Sequence, residues 1–178
     1  MTKAIIVCGA SSSGNRLLTR LLIECGAYGD GKLKQRLDRH IPAGHKCVAW
    51  ARSYPYRPRG ADMWIDMATL IKPLVQAGYT DISVAVITRD WLCTALSQRR
   101  NKHSVSVTEA YDKINRAYRV IFENIVLYGL PYVMVNYERL VSDPLKVIQW
   151  VAGRLGLEAP EQIREQVYNA NEKYSEIQ

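Results

Sequence analysis

The residues with the clearest chemical potential lie near the amino end, in Gly9-Ala10-Ser11-Ser12-Ser13-Gly14-Asn15-Arg16-Leu17-Leu18. Two glycines with four residues between them form the frame of an anion-binding loop. Small residues let successive backbone N–H groups turn toward one anion, and serine hydroxyls add donors. A plain Ser/Gly turn is the competing reading. The two residues after the second glycine narrow the choice of ligand. A loop for a magnesium-bound triphosphate carries Lys and then Ser/Thr there, the Lys for the β/γ-phosphates and the hydroxyl for the metal. This chain has Asn15 and Arg16. The pattern predicts an anionic group held at Ser11, Ser12, Ser13, Gly14, Asn15 and Arg16, without a magnesium-bound triphosphate.

Arg89 and Ser97 form a second candidate pair. Arg89 follows an apolar run and offers a planar fork for a phosphate. Ser97 comes eight residues later, and such a step along a helix returns almost to the same face, so both groups can converge on one anion. The alternative is that Arg89 pairs with Asp90 or another carboxylate while Ser97 faces solvent. A third set is basic. Residues 32–59 hold eight Lys/Arg, Arg52 among them, against the single acid Asp38. With a net charge of +7, this favours an anionic partner. The stretch is either a solvated face or a surface for phosphate, sulfate or nucleic acid. Within it, Tyr54-Pro55-Tyr56-Arg57-Pro58-Arg59 reads as a loop that lines an acceptor pocket or forms a rigid exposed connection.

Four short apolar runs must position these groups: 3–8, 47–51, 82–88 and 132–136. All four read as buried strands. Helical patterns separate them, over 14–25, 61–77, 91–100 and 108–128. The last has a stripe from Ala110 to Val126, a capping box of Ser106 and Glu109, and a stop at Gly129 and Pro131. Asp143-Pro144 opens a further helix to Leu155, with Gly156 just past its end. A final helix is expected over about 160–170, in an acidic C-terminal helix or tail (158–178) with five Glu against Arg164 and Lys173. The alternation predicts an α/β fold, a three-layer α/β/α arrangement around a mainly parallel sheet of four to five strands. Ligands of such sheets bind beyond the strands' carboxyl ends, here after Cys8, Ala51, Thr88 and Asn136.

Composition bounds the rest. The 178 residues suit one domain. An apolar share of 48% and a charged share of 23% exclude a disordered chain. No apolar run spans a membrane, and the apolar stretch at the N-terminus is too short for a secretory signal, so a cytoplasmic chain is expected. Cys8, Cys25, Cys47 and Cys93 form no CxxC pair, and His40, His45 and His103 are scattered, so no metal site is expected.

Three segments together resemble the P-loop sulfotransferases, which use 3′-phosphoadenosine 5′-phosphosulfate (PAPS), in their compact bacterial and phage-type form. That family's first loop reads roughly Lys/Arg-Ser-Gly-Thr-Thr/Ser/Arg-Leu-Leu, against Ser12-Ser13-Gly14-Asn15-Arg16-Leu17-Leu18 here. Its third strand runs into Arg with a Ser eight residues on, as Arg89 and Ser97 are placed. Its fourth strand leads to Tyr-Glu-x-Leu, then Asp-Pro and a helix to Leu-Gly-Leu, matching Tyr137-Glu138-Arg139-Leu140, Asp143-Pro144 and Leu155-Gly156-Leu157.

The resemblance implies a P-loop NTPase-like fold, PAPS as cofactor, no metal, and sulfuryl transfer to a hydroxyl or amine. Loop 11–16 would hold the 5′-phosphosulfate, and Arg89 with Ser97 the 3′-phosphate. Ser12 stands where the family carries Lys/Arg, so Arg16 and Arg52 are the cations expected near the departing phosphate. Trp91, in place of the family's common Pro, either packs or stacks on adenine. A base suited to neutral pH is sought among Asp30, Asp38, His40 and His45. The acceptor is expected to be a small or carbohydrate-like molecule chosen by residues 31–81, where the resemblance fails. The chain is short for the family, so a second copy completing the site is among the readings. Two rivals stay open. One is a P-loop nucleotide or small-molecule kinase, against which the missing Lys-Ser/Thr counts. The other is a non-catalytic P-loop protein that binds a nucleotide, or nucleic acid through 32–59.

Overall fold

A computed structural model describes residues 2–29, 43–56 and 61–177. Five strands are present: β1 (Lys3–Ala10), β2 (Tyr28–Gly29), β3 (Cys47–Tyr54), β4 (Asp81–Thr88) and β5 (Tyr132–Asn136). The described residues also form six helices, the last two after β5: α1 (Asn15–Glu24), α2 (Ala68–Gln76), α3 (Trp91–Arg100), α4 (Val107–Leu127), α5 (Tyr137–Ser142) and α6 (Pro144–Leu155). A 3₁₀ turn covers Glu172–Ile177. The sheet runs β2-β3-β1-β4-β5 with every pair parallel, so all carboxyl ends share one edge.

Strand alternation sorts the side chains into two cores. Ala4, Ile6 and Cys8 of β1, with Val48, Trp50, Val84 and Val86, pack under the apolar stripe of α4 (Ala110, Ile114, Ala117, Ile121, Ile125) and under Leu70 and Leu74 of α2. Ile5 and Val7, with Ala49, Ala85, Ile87, Val133 and Val135, pack on the other face against α1 (Leu17, Leu18, Leu21, Leu22) and α6 (Ile148, Val151, Ala152, Leu155). A sheet covered on both sides explains the unbroken apolar runs, and the three-layer α/β/α arrangement is the expected one. Among the described residues, no helix is long and apolar enough to cross a membrane.

Besides the short helix α5, which was not expected, and a β1 that runs on to Ala10, the elements depart from the sequence reading in four places. Strand β3 runs three residues past Ala51, because its pairing with β1 continues through Cys8↔Arg52 and Ala10↔Tyr54. Tyr28–Gly29, outside the four runs read as strands, forms a short strand beside β3. Helix α2 starts at Ala68, not at 61. The Asp66 carboxylate accepts from Ala68 N (2.8 Å), and Asn124 Oδ1 accepts from Met67 N (2.7 Å), so the preceding residues run as a connector. No α-helix forms over 160–170. There the Arg164 and Glu165 N–H groups donate to the Glu24 carboxylate (2.8 and 2.5 Å) and Ala170 N–H to the Tyr137 hydroxyl (2.9 Å). Distant acceptors replace the i−4 carbonyls of a helix.

The caps of α4 and α6 follow the sequence closely. Ser106 Oγ accepts from Glu109 N (3.1 Å), and Asp143 Oδ1 from Lys146 N (3.4 Å). The Glu109 carboxylate reaches one residue further back than a capping box requires, to Val105 N (2.6 Å), and pairs with Lys113 at 2.7 Å.

Two measurements check this framework. Ile121→Ala, in the α4 stripe, should cost about 2–5 kcal/mol in urea unfolding, whereas Val126→Ala on the same helix should stay within about 0.5 kcal/mol, because Val126 is 79% exposed. The second concerns pH. The Lys113 ammonium and the Val105 N–H hold the Glu109 carboxyl below its ordinary 4.5. A carboxyl depressed on folding adds stability that is present above its unfolded pKa and lost as pH falls through the folded one. The stability gap between wild type and Glu109→Gln should therefore be constant above 4.5 and shrink below it. A gap that persists in acid overturns the assignment.

Candidate functional site

Between β1 and α1 the backbone makes a tight loop at the sheet's carboxyl edge. Ser11 N–H donates to Tyr54 O (3.0 Å) and Ser13 N–H to Ala10 O (3.1 Å). Ser12 takes a left-handed conformation (φ 70°), and Gly14 has φ 106°. Both glycines are required by space as well. A Cβ on Gly9 would lie 2.4 Å from Ile87 O, and one on Gly14 would lie 2.7 Å from the Tyr137 ring. Helix α1 then starts without a side-chain cap, whereas α3, α4, α5 and α6 are capped by Asp90, Ser106, Asn136 and Asp143. The N–H groups of its first turn, and the positive end of its dipole, are left for a ligand.

The loop side chains divide by direction. Ser12, Gly14, Asn15 and Arg16 border a cleft of about 620 Å³. Ser11 and Ser13 are buried and turned inward: Ser11 Oγ donates to Pro55 O (3.1 Å) and Ser13 Oγ to Asn15 Oδ1 (3.3 Å). Asn15 is only 5% exposed. Its amide donates to Ser53 Oγ (3.0 Å) and Gly9 O (3.4 Å), bracing the loop against β3.

Arg89, at the carboxyl end of β4, is 6% exposed. Its guanidinium lies over the Tyr137 ring at 4.7 Å. Nη1 donates to Ser12 O (2.9 Å) and Nε to Asn171 Oδ1 (2.7 Å), while Nη2 is buried with no protein partner. Asp90 does not pair with it; that carboxylate caps α3 by accepting from Cys93 N (2.8 Å). Ser97 borders the same cleft one helix face away, so the structure brings Arg89 and Ser97 together. Among the described residues the lining carries Arg16, Arg20, Arg89 and His103 but no Asp or Glu.

Other candidates lie elsewhere. Arg52 is not among the residues lining the cleft. Strand alternation sends it to the α4 face, where its guanidinium lies 4.0 Å over the Trp50 ring and donates to Ala51 O (2.7 Å). Its neighbour Ser53 faces the cleft instead. His45 stacks on Tyr28 (4.1 Å) just before β3 begins, at the opposite edge of the sheet. Trp91 lies 6.1 Å from Tyr111 and does not border the cleft. Asp30, Asp38 and His40 fall outside the described residues. Burial pushes all four thiols up, those of Cys25, Cys47 and Cys93 to about 11, so none offers a thiolate near neutral pH.

Several lining residues were not singled out from the sequence as site residues. Arg20 sits one turn beyond Arg16 and lies 2.9 Å from Glu165, an ion pair bent too far for a hydrogen bond at Nε. His103 is placed by its N–H to Gln98 O (2.8 Å) and by Lys113, which donates to its carbonyl (2.7 Å). Gln166, Tyr168 and Ala170 come from the C-terminal segment. That segment is tied down by Tyr137, whose hydroxyl donates to Tyr168 O (3.1 Å) and accepts from Ala170 N. The i, i+4 spacing of Arg16 and Arg20 was visible in advance; the C-terminal wall had no local marker.

Tyr137→Phe keeps the ring beneath Arg89 and removes only the hydroxyl. It should cost about 1–3 kcal/mol in urea unfolding, since it leaves a backbone N–H without its acceptor. Amide hydrogen exchange should quicken across 164–171 and stay unchanged in β1.

No protein-family model matches the chain, and neither does any curated protein. Solved structures do. A sulfotransferase from Alicyclobacillus acidocaldarius superposes on 97% of this chain and 90% of its own, with a TM-score of 0.57 and 13% identity. The sulfotransferase domain of the Synechococcus PCC 7002 olefin synthase covers 88% of this chain and 74% of its own, with a TM-score of 0.55 and 15% identity. The order of strands, the loop before α1 and the cleft at the carboxyl edge thus belong to a chain with the sulfotransferase fold.

Proposed function

We propose that this protein is a sulfotransferase that uses PAPS. Arg89 carries the reading. It is a buried guanidinium with an unpartnered Nη2, in the wall of a cleft whose lining holds no carboxylate among the described residues. A buried cation without a counter-charge is costly, and an anionic ligand relieves that cost. The cleft offers a second anion position at the uncapped start of α1. An anion position at Arg89 and another at this helix start suit a nucleotide phosphorylated at both 3′ and 5′, and about 620 Å³ is room for one. The fold shared with sulfotransferases supports the same choice.

In this reading Arg89 and Ser97 hold the 3′-phosphate, and the backbone of Ser12, Gly14, Asn15 and Arg16 holds the 5′-phosphosulfate. PAPS, when bound, supplies the sulfuryl group that passes to a hydroxyl or amine. The first-turn N–H groups of α1 are fixed in place and put positive potential where negative charge gathers on the phosphate side, and the Arg16 side chain at the cleft rim adds to it. Arg52, held on the far face by Trp50, has no part in this. The acceptor, small or carbohydrate-like, and the base that deprotonates it are assigned to the stretch with Asp30, Asp38 and His40. A kinase is disfavoured because Asn15, at the position after Gly14, is engaged inside the loop, and no Lys-Ser/Thr pair is present for magnesium and the γ-phosphate.

Calorimetric titration with 3′-phosphoadenosine 5′-phosphate (PAP), AMP and Mg-ATP tests the proposal. PAP should bind best, and Arg89→Ala should weaken it by about 2 kcal/mol, roughly thirtyfold. Equal or tighter binding of AMP or Mg-ATP overturns it.

A further inference from the structure

Asn171 separates a cation from an acid at this cleft. Its Oδ1 accepts from Arg89 Nε at 2.7 Å, and its Nδ2 donates to Glu138 Oε1 at 2.8 Å. The amide can face only this way. A guanidinium accepts no hydrogen bond and an ionised carboxylate donates none. Glu138 is held in place by two further donors, Asp90 N to Oε1 (3.0 Å) and Asn136 Nδ2 to Oε2 (2.9 Å). It directly follows Tyr137, the residue on whose ring Arg89 rests. An arginine this deeply buried, with a carboxylate one amide away, would ordinarily pair with it directly. Here the amide meets the hydrogen-bonding need of Nε while adding no negative charge.

We propose that Asn171 is a positioning residue that insulates Arg89 from Glu138. It keeps the guanidinium's charge, and its free Nη2, for the 3′-phosphate of the bound nucleotide. Resting on the PAPS reading above, the inference adds that the preference for a 3′-phosphorylated ligand is set by a residue of the C-terminal segment. The segment can do this because it is anchored nearby, through Ala170 N–H to the Tyr137 hydroxyl and that hydroxyl to Tyr168 O.

The test titrates the full chain with PAP and with AMP, which lacks the 3′-phosphate. Asn171→Asp puts a carboxylate against Nε. It should weaken PAP roughly thirtyfold and leave AMP within about twofold. Asn171→Ala removes the spacer, so Glu138 draws toward Arg89 and PAP again weakens selectively. Adding Glu138→Gln to Asn171→Ala should restore PAP to within about threefold of wild type, a rescue that a merely structural role cannot give. Undiminished PAP binding by Asn171→Asp overturns the insulator, as does an equal loss of PAP and AMP, or a failed rescue. Should Asn171→Asp not fold, the alanine pair decides alone. A wild type that binds PAP no better than AMP overturns the PAPS reading and this inference together. A wild-type preference that survives in Asn171→Asp overturns only the inference.

Discussion

A guanidinium withdrawn from water at the edge of a parallel sheet is the constraint on which the site depends. Such a group must be met by acceptors, because its desolvation cost otherwise exceeds what packing returns. Arg89 meets its acceptors in three distant parts of the chain: the Ser12 carbonyl, the Tyr137 ring and the Asn171 amide. Each contact also fixes an element. The first sets the loop before α1. The second sets how α5 leaves β5. The third brings the end of the chain back over the cleft. The nitrogen left over, Nη2, points to what the arrangement is for.

Among the described residues no carboxylate pairs directly with that cation. Acidic side chains are present nearby, but each is engaged. Asp90 caps α3, Glu138 collects donors from Asp90, Asn136 and Asn171, and Glu165 pairs with Arg20. The one long helix start facing the cleft, that of α1, is left without a side-chain cap. Steric need and function coincide in this loop. The glycines that let it turn also let the Tyr137 ring and Ile87 O approach closely enough to close one wall. Helix α2 also starts without a side-chain cap, but its first residues do not border the cleft.

The period of a strand decides which of two neighbours takes part. Arg52 had the charge that suggested chemistry, yet it points into the α4 core, and Ser53 beside it faces the cleft. A charge count along the chain does not contain that parity, which is set by the register Cys8↔Arg52 with the central strand. His45 fails for a similar reason: a parallel strand has a direction, and His45 stands at its amino end. His103, without any motif, reaches the cleft because α3 ends beneath it and Gln98 and Lys113 hold its backbone.

The sequence by itself determined the layers, the helix bounds of α3, α4 and α6 to within a residue, and the strand-loop-helix frame of Gly9 to Gly14. These rest on burial of apolar runs, side-chain caps and glycine conformations, all settled within a few residues. The spacing of Arg89 and Ser97 was legible for the same reason, since a strand end and two helical turns carry one residue to the other. Only the tertiary structure decided the fate of 160–171. Its local pattern suited a helix, but its partners are Glu24, Tyr137 and Arg89, which stand 141, 33 and 82 residues from Glu165, Ala170 and Asn171. Hydrogen bonds to such distant groups outbid helical ones once the sheet has assembled them. No periodicity within the segment could announce that it closes the cleft and sets the charge that Arg89 presents.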